Sequence, residues 1–199
     1  MSLPCPFCEP NITAPILWEN EYYRISPDEY PRCTGHLLVI SKAHQHKHMS
    51  VPLARLPILE HAKHQAYRFL SDVFGKASFL ENGENYQEIL HAHLHCLPIA
   101  PSITKTSILH QIKSLDEVWF EYEKVGNYCY LETATGRFIV SQNSEYVTLL
   151  AEIRTQITKQ TNAQVDRSTG GLLRGRPQMV KETVQLWKEW CQKTETDFG

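Results

Sequence analysis

In the first hundred residues, the spacing of hydrophobic and polar positions is that of β-strands in several segments and that of an α-helix in one long segment. Residues 16–27 predict a hairpin, and the apolar run 36–40 predicts a buried strand. From Pro57 to Gly75, apolar side chains recur at helical spacing and predict a helix. Two further strands are expected at residues 77–80 and 89–97.

The second half of the chain predicts shorter elements. They are a short helix at 108–115, strands at 119–122, 128–132 and 137–140, a helix beginning at Ser144, and a last helix with Val180, Val184, Trp187 and Cys191 on one face. Pro98 and Pro101 separate the halves. We therefore expect an α+β protein with an antiparallel sheet and a long helix in residues 1–101, and a smaller α+β extension in residues 102–199.

Three histidines alternate within the predicted strand 89–97. In a strand, His91, His93 and His95 share one face and span about 13 Å. The residues between them face a core, and these are Ala92, Leu94 and Cys96. Buried imidazoles each need a partner, so a purely structural role is disfavoured. Crowded imidazoles favour either metal binding or chemistry on an anionic substrate.

Composition narrows the class of protein. The chain has 199 residues, of which 42% are hydrophobic and 21% charged, with a net charge of -2. This balance predicts a globular protein and gives no case for binding nucleic acid or a membrane surface. Neither a signal peptide nor an apolar run of about 20 residues occurs, so a cytoplasmic location is expected. The six cysteines are then expected to be reduced.

A Cys-Pro-Phe-Cys motif occupies residues 5–8, with its thiols at Cys5 and Cys8. Two thiolates supply half of the about four ligands that zinc needs. Redox chemistry is the alternative, but the motif lacks the βαβ context typical of that use.

The histidine strand belongs to a recognisable pattern. Residues 91–97 read His-Ala-His-Leu-His-Cys-Leu, and residues 35–44 read Gly-His-Leu-Leu-Val-Ile-Ser-Lys-Ala-His. Both blocks, in this order, resemble the histidine triad (HIT) superfamily. The resemblance covers residues 3 to about 101 and implies the HIT-like antiparallel sheet with its long helix.

The resemblance also implies an activity. HIT enzymes attack the α-phosphorus of a nucleotide with the middle histidine, here His93, and form a nucleotidyl-histidine. His95 would then contact phosphate or the departing atom, and His36 would tune the protonation of the cluster. A histidine at position 95 resembles the hydrolase branches, which cleave dinucleoside polyphosphates, nucleoside phosphoramidates or adenylylated compounds. We therefore expect a nucleotide hydrolase, with a nucleotidyltransferase as the related possibility.

A structural zinc ion is the cofactor that the resemblance implies. Several bacterial relatives carry the Cys-x-x-Cys motif and bind zinc, and the matching ligands here are Cys5, Cys8, His44 and His91. Two thiolates and two neutral imidazoles form a neutral, closed site. His46 and His48 are either substitute ligands or exposed loop residues.

One departure from the family pattern concerns phosphate binding. HIT hydrolases often have Gly-Gln-Ser/Thr-Val before the triad, whereas residues 87–90 read Gln-Glu-Ile-Leu. Glu88 thus replaces a hydroxyl that typically contacts phosphate. Asn82 and Gln87 are the candidate substrate-binding residues, with a solvated turn as the alternative.

Other interpretations stay open. A nucleotide-binding regulatory or sensor module with little turnover is the main alternative function, and a zinc-stabilised interaction domain is the third. HIT domains generally pair as dimers, so the second unit either mediates a homodimer or packs where a partner domain would lie. The Gly- and Arg-rich segment 166–176 is either a phosphate-binding loop or a surface connection.

Overall fold

The computed structural model describes residues 4–104, 106–140, 144–161 and 177–196. These residues form one eight-stranded antiparallel sheet and four α-helices, which confirms the α+β class. The strands are β1 Trp18–Glu19, β2 Tyr23–Pro27, β3 Leu37–Ser41, β4 Ser78–Glu81, β5 His93–Leu97, β6 Leu109–Ile112, β7 Tyr130–Thr133 and β8 Gly136–Val140. The helices are α1 Leu56–Phe74, α2 Leu115–Val125, α3 Ser144–Thr161 and α4 Pro177–Thr196.

Helix α1 confirms the helix predicted from the apolar stripe. Pro57 lies in its first turn, and Gly75 ends it with a left-handed conformation (φ 71°) that glycine adopts without a Cβ penalty. Its apolar face packs on one side of the sheet, and the buried members are Leu56, Leu59, Ala62, Ala66, Phe69 and Leu70.

Strand β5 differs from the prediction at its beginning. It starts at His93 rather than at residue 89, and His91 lies in a bend before it. The Ala92 N–H donates to Gln45 O (2.6 Å) and its carbonyl accepts from Ser41 N (3.2 Å), so the loop after β3 and the last residue of β3 hold the chain there. The predicted burial of Ala92, Leu94 and Cys96 is confirmed.

Two elements of the second half were predicted wrongly. Residues 119–122 belong to helix α2 rather than to a strand, and residues 109–112 form strand β6 rather than a helix. The signals for α2 are the acidic first turn and Gly126, which ends the helix at φ 72°. Its inward positions also recur at helical spacing, at Leu115, Val118, Trp119 and Tyr122.

The sheet continues past residue 101, because β7 pairs with β4. Its strand order is β1-β2-β3-β5-β4-β7-β8-β6. Helix α4 packs on α1, where Trp190 Nε1 donates to Asp72 Oδ2 at 2.8 Å. The division at residue 101 stays a prediction about folding units.

The two faces of the sheet carry different helices. Helices α1, α2 and α4 share one core, whereas α3 packs through Tyr146, Leu149, Ile153 and Ile157 in a second core that includes Leu97 of β5. Because residues two apart in a strand face the same way, α3 lies on the histidine face. The segment 166–176 lies outside the described residues, and among those described no helix is long and apolar enough to cross a membrane.

Candidate active site and metal centre

Four side chains from distant parts of the sequence converge at one end of the histidine row. The ligand atoms of Cys5, Cys8, His44 and His91 all lie within 4.8 Å of one another. The Sγ–Nδ1 separations are 3.2 to 3.5 Å, and the two imidazole Nδ1 atoms are 3.3 Å apart. A tetrahedral zinc ion with ordinary bond lengths requires edges of about 3.5 Å and about 3.3 Å. The donor set and its spacing therefore fit a zinc ion.

The backbone around His91 fixes which ring nitrogen faces this centre. Its Nε2–H donates to Ser41 O at 2.7 Å, which leaves the Nδ1 lone pair directed towards the thiols. Burial lowers the pKa of His91 to about 4, so the ring is neutral at pH 7, as metal ligation requires.

His93 follows on strand β5 and has a defined tautomer. Its Nδ1 lies 2.6 Å from the backbone carbonyl of His91, so Nδ1 carries the proton and Nε2 holds the lone pair. The side chain is buried, and this burial lowers its pKa. The ring lies 5.2 Å from Phe7 and 5.0 Å from His95, measured between centroids.

His36 and His95 form a hydrogen-bonded pair across strands β3 and β5. The Arg32 backbone N–H donates to His36 Nδ1 (3.2 Å), so His36 Nε2–H donates to His95 Nδ1 (3.1 Å). The remaining proton of His95 is then on Nε2. Asp28 Oδ2 lies 3.4 Å from His36 Nδ1 and 3.9 Å from His95 Nδ1.

Burial keeps this pair uncharged. Burial, together with the positive charge of the neighbouring Arg32, lowers the pKa of His36 to about 3. The pKa of His95 is also lowered well below its ordinary value by burial and by the neighbouring imidazoles. The site therefore holds neutral rings that can accept or share protons.

The predicted substrate-binding residues lie beside this cluster in sequence but differ in their contacts. Both polar atoms of the Gln87 amide are buried without a hydrogen-bond partner among the described residues. Asn82 Oδ1 instead accepts a hydrogen bond from Tyr146 of α3 at 2.9 Å, and its carbonyl accepts one from Lys47. Glu88 is exposed, and its charge partly offsets the lowering of the Arg32 pKa that burial causes.

The two additional histidines have opposite environments. His46 is exposed, as one alternative predicted. His48 is fully buried, and its Nδ1 lies 3.1 Å from Glu81 Oε1, so the expectation of an exposed residue was wrong. Neither residue belongs to the Cys/His centre.

Sequence reasoning missed three residues that line the site, namely Phe7, Arg24 and Asp28. The usable signal was the alternation along β2, where Tyr23 and Ile25 join the core beneath α1. Arg24, which lies between them, must then face the histidine side of the sheet, whereas Phe7 and Asp28 lie outside β2 and had no such signal.

Comparison with known families now identifies the class. A family profile described as scavenger mRNA decapping enzyme C-term binding matches residues 4–112, more than half of the chain. The chain belongs to this family, within the HIT superfamily. Comparison with curated protein sequences gave no match.

Solved structures give more distant likenesses. A HIT family hydrolase from Clostridium thermocellum is 21% identical, with a TM-score of 0.41 over 53% of this chain and 96% of that chain. A hypothetical histidine triad nucleotide-binding protein from Sulfolobus tokodaii is 19% identical, with a TM-score of 0.41 over 78% and 93%. A Zn-bound histidine triad family protein from Mycobacterium smegmatis is 21% identical, with a TM-score of 0.36 over 44% and 67%.

Proposed function

We propose that this protein hydrolyses a nucleotide phosphate anhydride or phosphoramidate through a covalent nucleotidyl intermediate on His93. The observation that carries the proposal is the His93 tautomer. Its Nδ1–H is engaged by the His91 carbonyl at 2.6 Å, so Nε2 keeps a free lone pair in a buried, neutral ring. An imidazole held in this way is a competent nucleophile.

The reaction would proceed in two displacements at phosphorus. In the first, His93 Nε2 forms a bond to the α-phosphorus, and the bond to the leaving group breaks with its electron pair departing on that group. In the second, a water oxygen attacks the same phosphorus, the P–Nε2 electron pair returns to His93, and the water proton passes to solvent. Each displacement places negative charge on the phosphate oxygens, where positioned donors contribute most.

His95 and His36 would supply one such donor. The bond from His36 orients His95 so that its Nε2–H is available to a phosphate oxygen or to the departing atom. Gln87 would contact the phosphate through its unpaired amide, because a buried amide without partners gains most from a polar ligand. Asn82 retains its amide N–H groups for the same purpose.

Zinc would be bound by Cys5, Cys8, His44 and His91. When bound, it supplies structural cross-linking of the N-terminal segment to the loop after β3 and to the start of β5. The residue that matters for chemistry is His91, because its side chain belongs to the metal centre and its carbonyl holds His93. Loss of this anchoring would therefore release the nucleophile.

The test is to incubate the protein with dinucleoside polyphosphates and nucleoside phosphoramidates and to measure mononucleotide release. Samples quenched with denaturant at alkaline pH, which preserves a P–N bond, should show an intact mass increased by one nucleotidyl group. His93→Ala should abolish both signals, with a loss of at least about 10³-fold in turnover. The exposed His64→Ala on α1 is the matched control and should retain both.

A folded His93→Ala variant with unchanged turnover would refute the mechanism. If the wild type binds nucleotides but releases no product from any substrate, the regulatory-module alternative takes its place.

A further inference from the structure

A cavity adjoins the proposed nucleophile on the histidine face of the sheet. It lies between the N-terminal segment and strands β2 and β3. Its apolar walls include Phe7, Ile12, Ile16, Leu38 and Ile40. Phe7 is shared with the reaction site, because its ring centroid lies 5.2 Å from that of His93. An apolar slot beside the reaction site is suited to a planar heterocycle next to a bound phosphate.

The hydroxyl groups of this cavity are already committed to the protein. Ser26 donates to Pro15 O at 2.9 Å, and Thr13 donates to the Glu29 carboxylate. A carboxylate offers about four acceptor positions, so Glu29 can accept further hydrogen bonds after accepting one from the Thr13 hydroxyl.

Arg24 differs from these hydroxyl groups, because two of its guanidinium nitrogens donate no hydrogen bond to the described residues. The side chain is 3% exposed and lines the cavity, yet its Nε and Nη1 atoms have no hydrogen-bond partner among the described residues. Its counter-ion is Glu9, whose carboxylate lies 3.5 Å from Nη1 and is 76% exposed. An exposed partner at this distance compensates little for a buried guanidinium. A ligand that brings acceptors to Arg24 would satisfy these groups.

We propose that Arg24 selects the base of the substrate and makes this site prefer guanine over adenine. The inference rests on the proposed function, since it assumes that a nucleotide binds beside His93. Guanine presents O6 and N7 as acceptors on one edge, which arginine recognises in nucleic acids. Its N1–H and N2–H₂ groups are donors that suit a carboxylate such as Glu29. Adenine places an amino donor at position 6, which would face the guanidinium donors.

The same chemistry disfavours 7-methylguanine. Methylation at N7 removes an acceptor and makes the base cationic, so it would meet the positive charge of Arg24 without screening by water. The proposal therefore predicts an order of preference in which guanine comes first and both adenine and 7-methylguanine follow.

The experiment measures binding before turnover. Dissociation constants for GMP, AMP and 7-methyl-GMP are determined by calorimetry on the full, zinc-loaded protein. We expect GMP to bind about tenfold more tightly than the other two. Arg24→Met should bring the three constants within about twofold, whereas Arg24→Lys should keep part of the preference. Arg68→Met, on α1 and outside the cavity, is the control and should behave like the wild type.

Zinc content and the melting temperature are measured on every variant. If Arg24→Met folds, retains zinc and keeps the wild-type preference, the proposal is overturned. It is also overturned if wild-type protein binds the three nucleotides equally. Loss of zinc together with the preference would assign Arg24 to stabilising the metal segment instead. Failure of the proposed hydrolysis would leave the binding order measurable, so the two failures are distinguishable.

Discussion

The two groups of histidines at the site contain the same kind of residue in opposite arrangements. His44 and His91 direct their Nδ1 atoms at a common point, 3.3 Å apart, where two thiols also converge. His36 and His95 instead form a series, in which each ring receives a hydrogen bond from its neighbour. Converging lone pairs repel unless a cation lies between them, whereas a series of donors and acceptors is satisfied without one.

His93 lies between these groups and depends on both. The His91 carbonyl fixes its tautomer, and the His95 ring lies 5.0 Å from its own. The converging group therefore anchors the nucleophile, whereas the His36–His95 series would stabilise the phosphate. Each of these roles can be perturbed without the other.

The largest effect is expected from Cys5→Ser. Loss of one thiolate should lower zinc from about one per chain to a small fraction and reduce the melting temperature by at least about 5 °C, because zinc binding contributes to folding free energy. Elemental analysis and thermal melts measure both. Cys191→Ser, in α4, is the control. Equal zinc content in the two variants would mean that the converging group holds no metal.

His36→Gln should affect chemistry rather than anchoring. Glutamine keeps an amide N–H in place of the His36 donor but holds it less firmly, so we expect kcat to fall severalfold, whereas His36→Leu, which removes the donor that orients His95, should lower kcat about 10²-fold. Zinc content should stay at the wild-type value. A variant that loses zinc but keeps kcat would reverse the division of roles between the two groups.

The pH dependence of stability should report the same pair. The pKa of His36 is about 3 when folded and about 6.5 when unfolded, so protonation favours the unfolded chain. The free energy of unfolding should therefore fall as the pH decreases below about 6.5, by up to about 1.4 kcal/mol per pH unit for this residue. Urea titrations at pH 7.5, 6.5 and 5.5 measure the slope.

The His36→Gln variant isolates that contribution, because glutamine binds no proton. Other groups near His36, namely Asp28, Arg32 and His95, remain in both proteins. The wild-type slope should exceed that of the variant, and parallel slopes would contradict the neutral state of the pair.

The smallest effect is expected at Glu88. This exposed carboxylate lies where the histidine triad resemblance implies a hydroxyl, and it would repel an anionic substrate through water. Glu88→Ser should lower KM about twofold for a polyphosphate substrate and leave kcat unchanged. The exposed Glu189→Ser on α4 is the control. A rise in KM would instead show that Glu88 assists binding.

Sequence reasoning succeeded where a local pattern determines the structure. The α1 stripe, the buried strand β3 and the histidine strand depend on periodicity and on glycine or proline at the ends, which are visible in one segment. The four residues expected as zinc ligands from the resemblance to the histidine triad superfamily also converge in the structure.

The errors arose where tertiary contacts decide. Trp119 and Tyr122 are aromatic residues that suit strands, but the helical spacing of their neighbours and a bond from Trp119 Nε1 to Val51 O favour a helix. The late start of the histidine strand depends on Gln45, a residue of the loop after β3. Arg24 was missed because the alternation along β2 shows which face it lies on but not which side chains of other segments share that face.

The pairing of β7 with β4 also changes how rigidly the chemistry is held. It places β5 fourth among eight strands, so His93 and His95 stand on an interior ladder with paired strands on both sides. Opening such a ladder requires breaking several strand pairs together, whereas end strands open in smaller units. Amide hydrogens of β5 should therefore exchange with solvent among the slowest in the protein, and the nucleophile would keep its orientation through local openings elsewhere.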